Sequence, residues 1–339
     1  MRRWLLRVAG LITGLVIISL FLAWQLLRGS LPILDGTVSL SGIAQAVSIQ
    51  RDGAGIPVIR AANRRDLAFA TGYVHGQDRF FQMDLSRRSA AGELAALVGV
   101  VALDRDKRVR IHRFRVRAGQ VLTDMDPGQR DILEAYADGV NAALDAMSTR
   151  PFEYIVLREK PAPWQAEDCL LVLYAMFLDL NDAGADRDIE MSLVADAVPA
   201  AVFAWLYPTG SRWDAPLTGE ASAEVPVPGP ELYDLRDFRS VQFARQEYLP
   251  EHLPGSNNWA VSGQITRDGR AIVANDMHLG LRVPNIFYRA RFLVHAADSV
   301  DISGVTLPGT PAMVVGSNGR IAWGFTNSYG DWSDAIVVR

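Results

Sequence analysis

The periodicity of apolar residues divides the chain into stretches of different kinds. Residues 8–27 form a run without charge, interrupted by a single amide, Gln25. From 31 to 205 apolar residues recur mostly at the three- and four-residue spacing of α-helices, whereas from 256 onward they alternate as in β-strands. The stretch 207–255 is rich in proline and weakly periodic, which is typical of a surface connection. The pattern predicts an apolar helix, a helical region, a connection and a β region.

Turn and cap residues mark where individual elements begin. Residues 37–62 alternate in polarity around a turn at Asp52–Gly53, which predicts strands, including the segment TVSLSG, and a hairpin. Asn63 can cap the helical stretch 66–98, which we expect to form two helices. Pro127 opens a further helix after an aspartate that can cap it.

The β region begins with a predicted hairpin, SNNWAVSG and RAIVAND, which turns at Arg267–Gly269. The other predicted strands are IFYRARFLVHA, AMVVG and IAWGFTNS. Helices come first and strands follow, instead of alternating with them, and this order is typical of the α+β class.

Composition excludes several classes of protein. The chain is 49% hydrophobic and only 21% charged, which excludes a mainly disordered chain. With 34 basic and 38 acidic residues its net charge is −4, so we expect no nucleic-acid partner. The single cysteine, Cys169, excludes an internal disulfide framework and a cysteine-cluster metal site.

The first segment predicts the compartment. Arg2, Arg3 and Arg7 precede the uncharged run 8–27, whose length at about 1.5 Å per residue matches the roughly 30 Å hydrocarbon core of a bilayer. The positive flank favours a cytoplasmic N-terminus, with the remainder in the periplasm or otherwise outside the cytoplasm. No clear small-x-small cleavage site follows. An uncleaved inner-membrane anchor is therefore favoured over a cleaved signal peptide, which stays the alternative.

Gly255–Ser256 stands where the proline-rich connection runs into a predicted strand. Cleavage before Ser256 would place a hydroxyl and a free α-amine on one residue. That amine has an ordinary pKa near 8, so at neutral pH it can serve as the base for its own hydroxyl. The other interpretation is an ordinary turn serine.

Five sequence blocks favour the nucleophile interpretation of Ser256 over the ordinary turn serine. They are DGAGIPVIRAANRRDLAFATGYVHGQDRFFQMDLSRRSAAGELAALVG, EAYADGVNAAL, PWQAEDCLLV, GSNNWAVSG with IVANDMHLGLRVP, and GVTLPGTPAMVVGSNGRIAWGFTNSYGDWSD. In this order they resemble the penicillin acylase (penicillin amidase) family of N-terminal nucleophile hydrolases, over about residues 33–339. The resemblance implies an α+β fold, a four-layer αββα sandwich with two antiparallel sheets, here preceded by the N-terminal helix.

The resemblance also implies catalytic roles. Ser256 matches the nucleophile, freed by self-cleavage after Gly255. His278 matches a residue that orients the amine and the nucleophile; it is histidine in cephalosporin and acyl-homoserine-lactone acylases and glutamine in penicillin G acylases. The backbone N–H of Asn327 matches an oxyanion donor. The second donor of the family would lie beyond residue 339, and His75 in YVHGQDR is expected to be structural.

The resemblance further implies a structural Ca²⁺ site. Asp331, Ser333 and Asp334 match the calcium-binding stretch, with Ser333 contributing a backbone carbonyl, and Glu190 matches the acidic ligand from the helical half. Carboxylates and carbonyls suit Ca²⁺, which takes six to eight oxygens.

These expectations divide the chain at stated boundaries. They are an anchor or signal at 1–30, a mostly helical α-chain region at 31–221, a spacer at 222–255, and the start of a β-chain at 256–339, with the C-terminus truncated.

The expected function is a self-processing amidohydrolase that acts on N-acyl amides, either β-lactam side chains or acyl-homoserine lactones, and consists of its own α and β chains. The alternative is an inactive, unprocessed membrane-anchored fragment. A conventional serine hydrolase is disfavoured because no GxSxG motif is present.

Overall fold

The computed structural model describes residues 1–181, 185–214, 216, 218–234, 255–295, 299–327, 330, 332–336 and 338. Helices dominate the part before residue 207 and strands the part after 255, so the predicted α+β class is confirmed. The chain forms two compact units, one of residues 1–179 and 254–327 and one of residues 180–253 and 328–339.

The helices lie mainly in the first unit. They are α1 (Arg2–Gly29), α2 (Arg64–Ala91), α3 (Ala95–Val98), α4 (Leu103–Arg110), α5 (Phe114–Asp124), α6 (Pro127–Ala146), α7 (Phe152–Leu157), α8 (Ala166–Leu180), α9 (Asp186–Ala197) and α10 (Ala200–Leu206). Short 3₁₀ turns occupy Gly99–Ala102 and Gly263–Ile265. Of the helices in the described part of the chain, α1 alone is long and apolar enough to cross a membrane, and none of its residues is buried.

The strands form two sheets. They are β1 (Ser48–Arg51), β2 (Pro57–Ala61), β3 (Gly255–Val261), β4 (Ile272–His278), β5 (Tyr288–Val294), β6 (Val300–Thr306), β7 (Met313–Ser317) and β8 (Ala322–Trp323). One sheet has the order β1-β2-β5-β6-β7-β8, and β3 pairs with β4 in a separate hairpin. α2 packs on the larger sheet through β2 and β5, and the four-layer αββα arrangement stays what the resemblance implies.

Local cap chemistry explains where the long helices begin. The side chain of Asn63 accepts a hydrogen bond of 2.8 Å from the N–H of Asp66 and starts α2. Asp126 does the same for α6, with Pro127 in the first turn. Both starts were predicted from the sequence. So was the division of 66–98 into two helices, which the left-handed Gly92 produces (φ 67°).

α2 and α6 pack so closely that glycines are required at their crossing. A Cβ at Gly139 would collide with the carbonyl oxygen of Phe69, and one at Gly72 with that of Tyr136. On its other side α2 packs on β2 and β5, where Ile59, Val74 and Phe292 share a buried cluster. The helix pair therefore joins the helical region to the sheet.

Two predicted strands differ in the structure, and β6 (Val300–Thr306) is a strand that was not predicted. Residues 37–42 (TVSLSG) form no strand; the glycines at 36 and 42 have φ of 112° and 102°, a backbone region that strands do not use. The strand predicted over IAWGFTNS ends at Trp323, so 324–327 lie outside the sheet ladder.

The larger sheet is also not wholly antiparallel. β2 runs parallel to β5, with Ile59 opposite Phe292, while its other pairs are antiparallel. A parallel neighbour requires a long connection, and here the helical region supplies it.

Candidate functional site

The β3–β4 hairpin determines which way Ser256 points. Ser256 lies opposite Met277 in the antiparallel register, and Asn258 lies opposite Asn275. Residues that face each other across a pair, and alternate residues along a strand, share one side of the sheet. The side chains of Ser256, Asn258, Asn275 and Met277 therefore project from the same face of the hairpin.

Ser256 and Asn327 meet on this face. The backbone N–H of Asn327 donates a hydrogen bond of 3.0 Å to Ser256 Oγ. Ser256 is only partly buried, so its hydroxyl remains accessible. The backbone N–H of Asn327 therefore lies within hydrogen-bond reach of the serine hydroxyl, beside the place where a carbonyl attacked by Oγ would lie.

His278 occupies a different position from the one that its expected role suggests. It lies opposite Gly255 in the register, so strand alternation puts its side chain on the hairpin face opposite to that of Ser256. Its Nε2 is 2.9 Å from Asp276 Oδ2 and 3.4 Å from Asn257 Nδ2. In this uncleaved chain the structure brings Ser256 and Asn327 together and leaves His278 beside the residue that precedes the nucleophile.

Asn275 is a site residue that the sequence analysis did not single out. Its Oδ1 accepts a hydrogen bond of 3.0 Å from the N–H of Phe325, and its Nδ2 donates to the Phe325 carbonyl at 2.9 Å. The same Nδ2 donates to the carbonyl of Asn257 at 3.1 Å. The available signal was an amide between Val273 and Met277 at alternate positions of the strand, two positions from the residue opposite Ser256.

A cleft lies on the nucleophile's side of the hairpin. Met277, opposite Ser256 in the register, lines a cavity of about 510 Å³ together with Arg79, Phe287, Tyr288 and Val305. Burial, reinforced by the carboxylate of Asp78, raises the pKa of Tyr288 above its ordinary value, so this wall presents a neutral phenol. The lining combines apolar side chains with two guanidinium groups, those of Arg79 and Arg289.

His75 has a structural environment, as expected from the sequence. Its Nδ1 is 2.8 Å from the Tyr136 hydroxyl and its Nε2 is 2.9 Å from Thr306 Oγ1. The Tyr136 hydroxyl accepts from the N–H of Gly309 and the Thr306 hydroxyl donates to a backbone carbonyl. The tyrosine therefore donates to Nδ1 and Nε2–H donates to the threonine. Burial lowers the pKa of His75 to about 3, which keeps the ring neutral.

The expected calcium ligands lie only partly within the described residues. Asp331 lies outside the described residues, whereas Ser333 and Asp334 are described and Glu190 is an exposed residue of α9. The described part of the chain contains no group of three or more His, Cys, Asp or Glu side chains that could hold a metal ion. Because Asp331 is outside the described residues, this finding does not test the expected site, and calcium stays a prediction.

Comparison with known proteins identifies the family. The family model described as penicillin amidase matches residues 46–339. The chain is 31% identical to an acyl-homoserine lactone acylase QuiP of Pseudomonas fluorescens, over 98% of this chain and 40% of that protein. It is 32% identical to the penicillin acylase 2 proenzyme of Pseudomonas sp. strain SE83, over 93% of this chain and 40% of that protein.

Among solved structures, a thermostable penicillin G acylase from Alcaligenes faecalis is 29% identical, with a TM-score of 0.44, covering 53% of this chain and 100% of the matched chain. The chain spans about two fifths of the length of the curated relatives named above. The family model, in contrast, matches most of the chain, which confirms the resemblance stated from the sequence blocks. This protein belongs to the penicillin amidase family.

Proposed function

We propose that the full-length protein is a self-processing amidohydrolase that cleaves N-acyl amides with Ser256 as its nucleophile. The observation that carries this proposal is the 3.0 Å hydrogen bond from the N–H of Asn327 to Ser256 Oγ, at the first residues of a strand that follows the proline-rich connection. Family membership and relatives named as acylases support it.

The first reaction is cleavage of the protein's own chain. Ser256 Oγ attacks the carbonyl carbon of Gly255 and loses its proton; the Gly255–Ser256 C–N bond breaks and the nitrogen takes up a proton as the α-amine. Water then hydrolyses the ester, leaving a carboxylate on Gly255 and the hydroxyl on Ser256. His278, which lies opposite Gly255 in the register, is the residue proposed to orient the new amine.

The second reaction is hydrolysis of an external amide. The α-amine, whose ordinary pKa is near 8, removes the Ser256 hydroxyl proton as Oγ attacks the substrate carbonyl. Asn327 N–H then donates to the carbonyl oxygen as it becomes an oxyanion. The C–N bond of the substrate breaks, the amine leaves with the proton, and water releases the acid from the acyl-serine.

Contacts between the two products of self-cleavage support their staying together. β2, which precedes the cleavage point, pairs with β5, which follows it, through residues 58–61 and 291–294. The ring of His75 joins Thr306, and the hydroxyl of Tyr136 joins Gly309, across the same division. We propose that the α and β chains remain one folded molecule.

The substrate class proposed here is the N-acyl amide of a small amine. The two named relatives act on acyl-homoserine lactones and penicillins, both of which carry an amide between an acyl group and a ring system. The largely apolar lining of the cleft beside Met277 suits an acyl chain, and histidine at 278 favours the acyl-homoserine-lactone and cephalosporin type.

We further propose that α1 anchors the protein in the inner membrane and that the remainder works in the periplasm. The helix has 28 residues, of which none is buried, and three arginines within its first seven positions. Asp331, Ser333, Asp334 and Glu190 remain the proposed calcium ligands.

N-terminal sequencing and intact mass of the purified full-length protein test the proposal, beside Ser256→Ala. A new N-terminus at Ser256 in the wild type and a single chain in the variant are expected. The processed protein should hydrolyse N-octanoyl-homoserine lactone or benzylpenicillin. A single uncut chain in both preparations would contradict the nucleophile assignment and favour the inactive, anchored alternative.

A further inference from the structure

We infer that Asn275 is a positioning residue that holds the Asn327 N–H in place as the oxyanion donor. The inference deepens the proposed function and rests on it. Asn275 touches neither the Ser256 hydroxyl nor the Asn327 amide in the hydrogen bonds described above. It acts through the backbone of Phe325, two residues before Asn327.

The segment that carries the donor lacks support from a sheet ladder. β8 ends at Trp323, and residues 324–327 belong to no strand. The side chain of Phe325 is 60% exposed, so its packing contributes little to holding the segment. A backbone amide can act as a preorganised donor only when its own segment is held still. Contacts of the backbone of this segment with the β3–β4 hairpin can hold it still.

The Asn275 side chain supplies that support by imitating a neighbouring strand. Its amide oxygen accepts from the Phe325 N–H and its amide nitrogen donates to the Phe325 carbonyl, so both backbone groups of one residue are satisfied by one side chain. The second hydrogen of Nδ2 goes to the carbonyl of Asn257, the residue after the nucleophile. One side chain thus ties the donor segment to β3, the strand that carries Ser256.

Only an amide of this length has the required donors and acceptor. An aspartate has almost the same shape and can still accept from the Phe325 N–H. Its ionised carboxylate has no hydrogen to give to the two carbonyls, and its negative charge faces their oxygens. Protonation of that carboxylate would return one donor.

Gly324 shows how closely the Asn275 side chain approaches the segment that carries the donor. A Cβ at Gly324 would lie 2.7 Å from Asn275 Oδ1 and 2.9 Å from Asn275 Cβ and Cγ. A side chain at 324 would therefore push the amide away from Phe325. The absence of a side chain at 324 therefore leaves room for the Asn275 amide beside the backbone of Phe325.

The experiment compares Asn275→Asp, Asn275→Ala and Gly324→Ala with wild type in the full-length processed protein. Asn318→Asp is the matched control, because Asn318 Oδ1 accepts from the N–H groups of Arg320 and Ile321, a role that a carboxylate also fills. The readouts are kcat and KM for N-octanoyl-homoserine lactone or benzylpenicillin from pH 5 to pH 9, and amide hydrogen exchange at 325 and 327.

For Asn275→Asp we expect kcat at pH 8 to fall by about 10- to 100-fold, below the full loss of a donor, with KM changed less than about twofold. The ratio of variant to wild-type kcat should rise as the pH falls and the new carboxyl takes up a proton. Gly324→Ala should lower kcat at every pH, and Asn318→Asp should match wild type. Asn275→Ala should speed exchange at 325 and 327 and leave α2 and α6 protected.

Wild-type kcat in Asn275→Asp would overturn the inference, as would a loss of kcat that is the same at every pH, since general damage to the fold carries no such pH dependence. Exchange at 325 and 327 that is unchanged in Asn275→Ala would overturn it as well. The exchange measurement does not need turnover. If wild type is neither cleaved nor active, the proposed function fails, while the exchange data still decide whether Asn275 holds this segment.

Discussion

Asn327 and Ser256, 71 residues apart in the chain, are joined by a hydrogen bond of 3.0 Å from the backbone N–H of the first to Oγ of the second. The bond connects the start of the β3–β4 hairpin with the segment that follows β8. Because it uses the main chain of Asn327, it depends on where the backbone runs and not on the residue type at 327. The expectation that the main chain of residue 327 matters, and not its side chain, can be tested directly.

Replacement of Asn327 by proline should remove the donor, because proline has no backbone N–H. We expect kcat of the processed full-length protein to fall by about 10²–10³-fold, the usual effect of losing one oxyanion donor. Steady-state kinetics with N-octanoyl-homoserine lactone or benzylpenicillin provide the measurement. Asn327→Ala keeps the N–H and should retain kcat within a few-fold. Equal losses in both variants would show that the side chain, and not the main chain, matters.

The crossing of α2 and α6 should not tolerate a methyl group at Gly139. The added Cβ would meet the backbone of Phe69, so one helix must move, and overpacking of this kind costs about 1–3 kcal/mol or more. Thermal and urea unfolding of Gly139→Ala should show the loss. Gly119→Ala, in the interior of α5 with nothing within 4 Å, is the matched control. It should gain about 0.5–1 kcal/mol from helix propensity; a similar stability of the two variants would contradict the packing argument.

His75 should make the free energy of unfolding depend on pH. Burial lowers its pKa from 6.5 to about 3 in the folded protein, so below pH 6.5 the unfolded chain binds a proton that the native state does not. Stability therefore falls as the pH falls from 6.5 towards 3, by up to about 1.4 kcal/mol per pH unit. Urea unfolding at several pH values should show a shallower slope in His75→Gln than in wild type. His295→Gln, at an exposed position, should keep the wild-type slope, and parallel slopes for wild type and His75→Gln would refute the prediction.

Calcium should stabilise the full-length protein if Asp331, Ser333, Asp334 and Glu190 contribute to a common site. A ligand that binds only the folded state at 100 times its Kd adds about 2.7 kcal/mol. Differential scanning calorimetry should show a higher Tm with Ca²⁺ than with EGTA, and a smaller rise in Asp334→Asn. Mg²⁺, which prefers six-coordinate geometry and keeps its waters, is the control. An identical Tm with Ca²⁺ and with EGTA would contradict the proposed calcium site.

Much of the secondary structure was predictable because its causes are local. Asn63 and Pro127 start α2 and α6 through groups within three residues, and Gly92 ends α2 through its own φ of 67°. The hairpin that carries Ser256 likewise follows from alternation and a short turn. Local signals also misled where the sequence alternates without pairing, as in TVSLSG, because alternation describes a face and does not supply a partner strand.

The candidate site was predictable only in part. Ser256 and Asn327 came from sequence blocks, and the structure brings them together. His278 was expected to orient the amine and the nucleophile; the register places it opposite Gly255 and on the other face of the hairpin, and its role stays a prediction. A shift of one residue reverses the face of every side chain in a strand, so this outcome depended on the pairing.

The sequence by itself determined the family, the α+β class, the helix starts and the identity of the nucleophile candidate. The tertiary structure alone decided that β2 pairs in parallel with β5, and that the amide of Asn275 binds both backbone groups of Phe325, 50 residues away. The physical reason is that caps and turns are closed by neighbours in the chain. These other contacts form only after distant segments have packed, so no periodicity in the sequence records them.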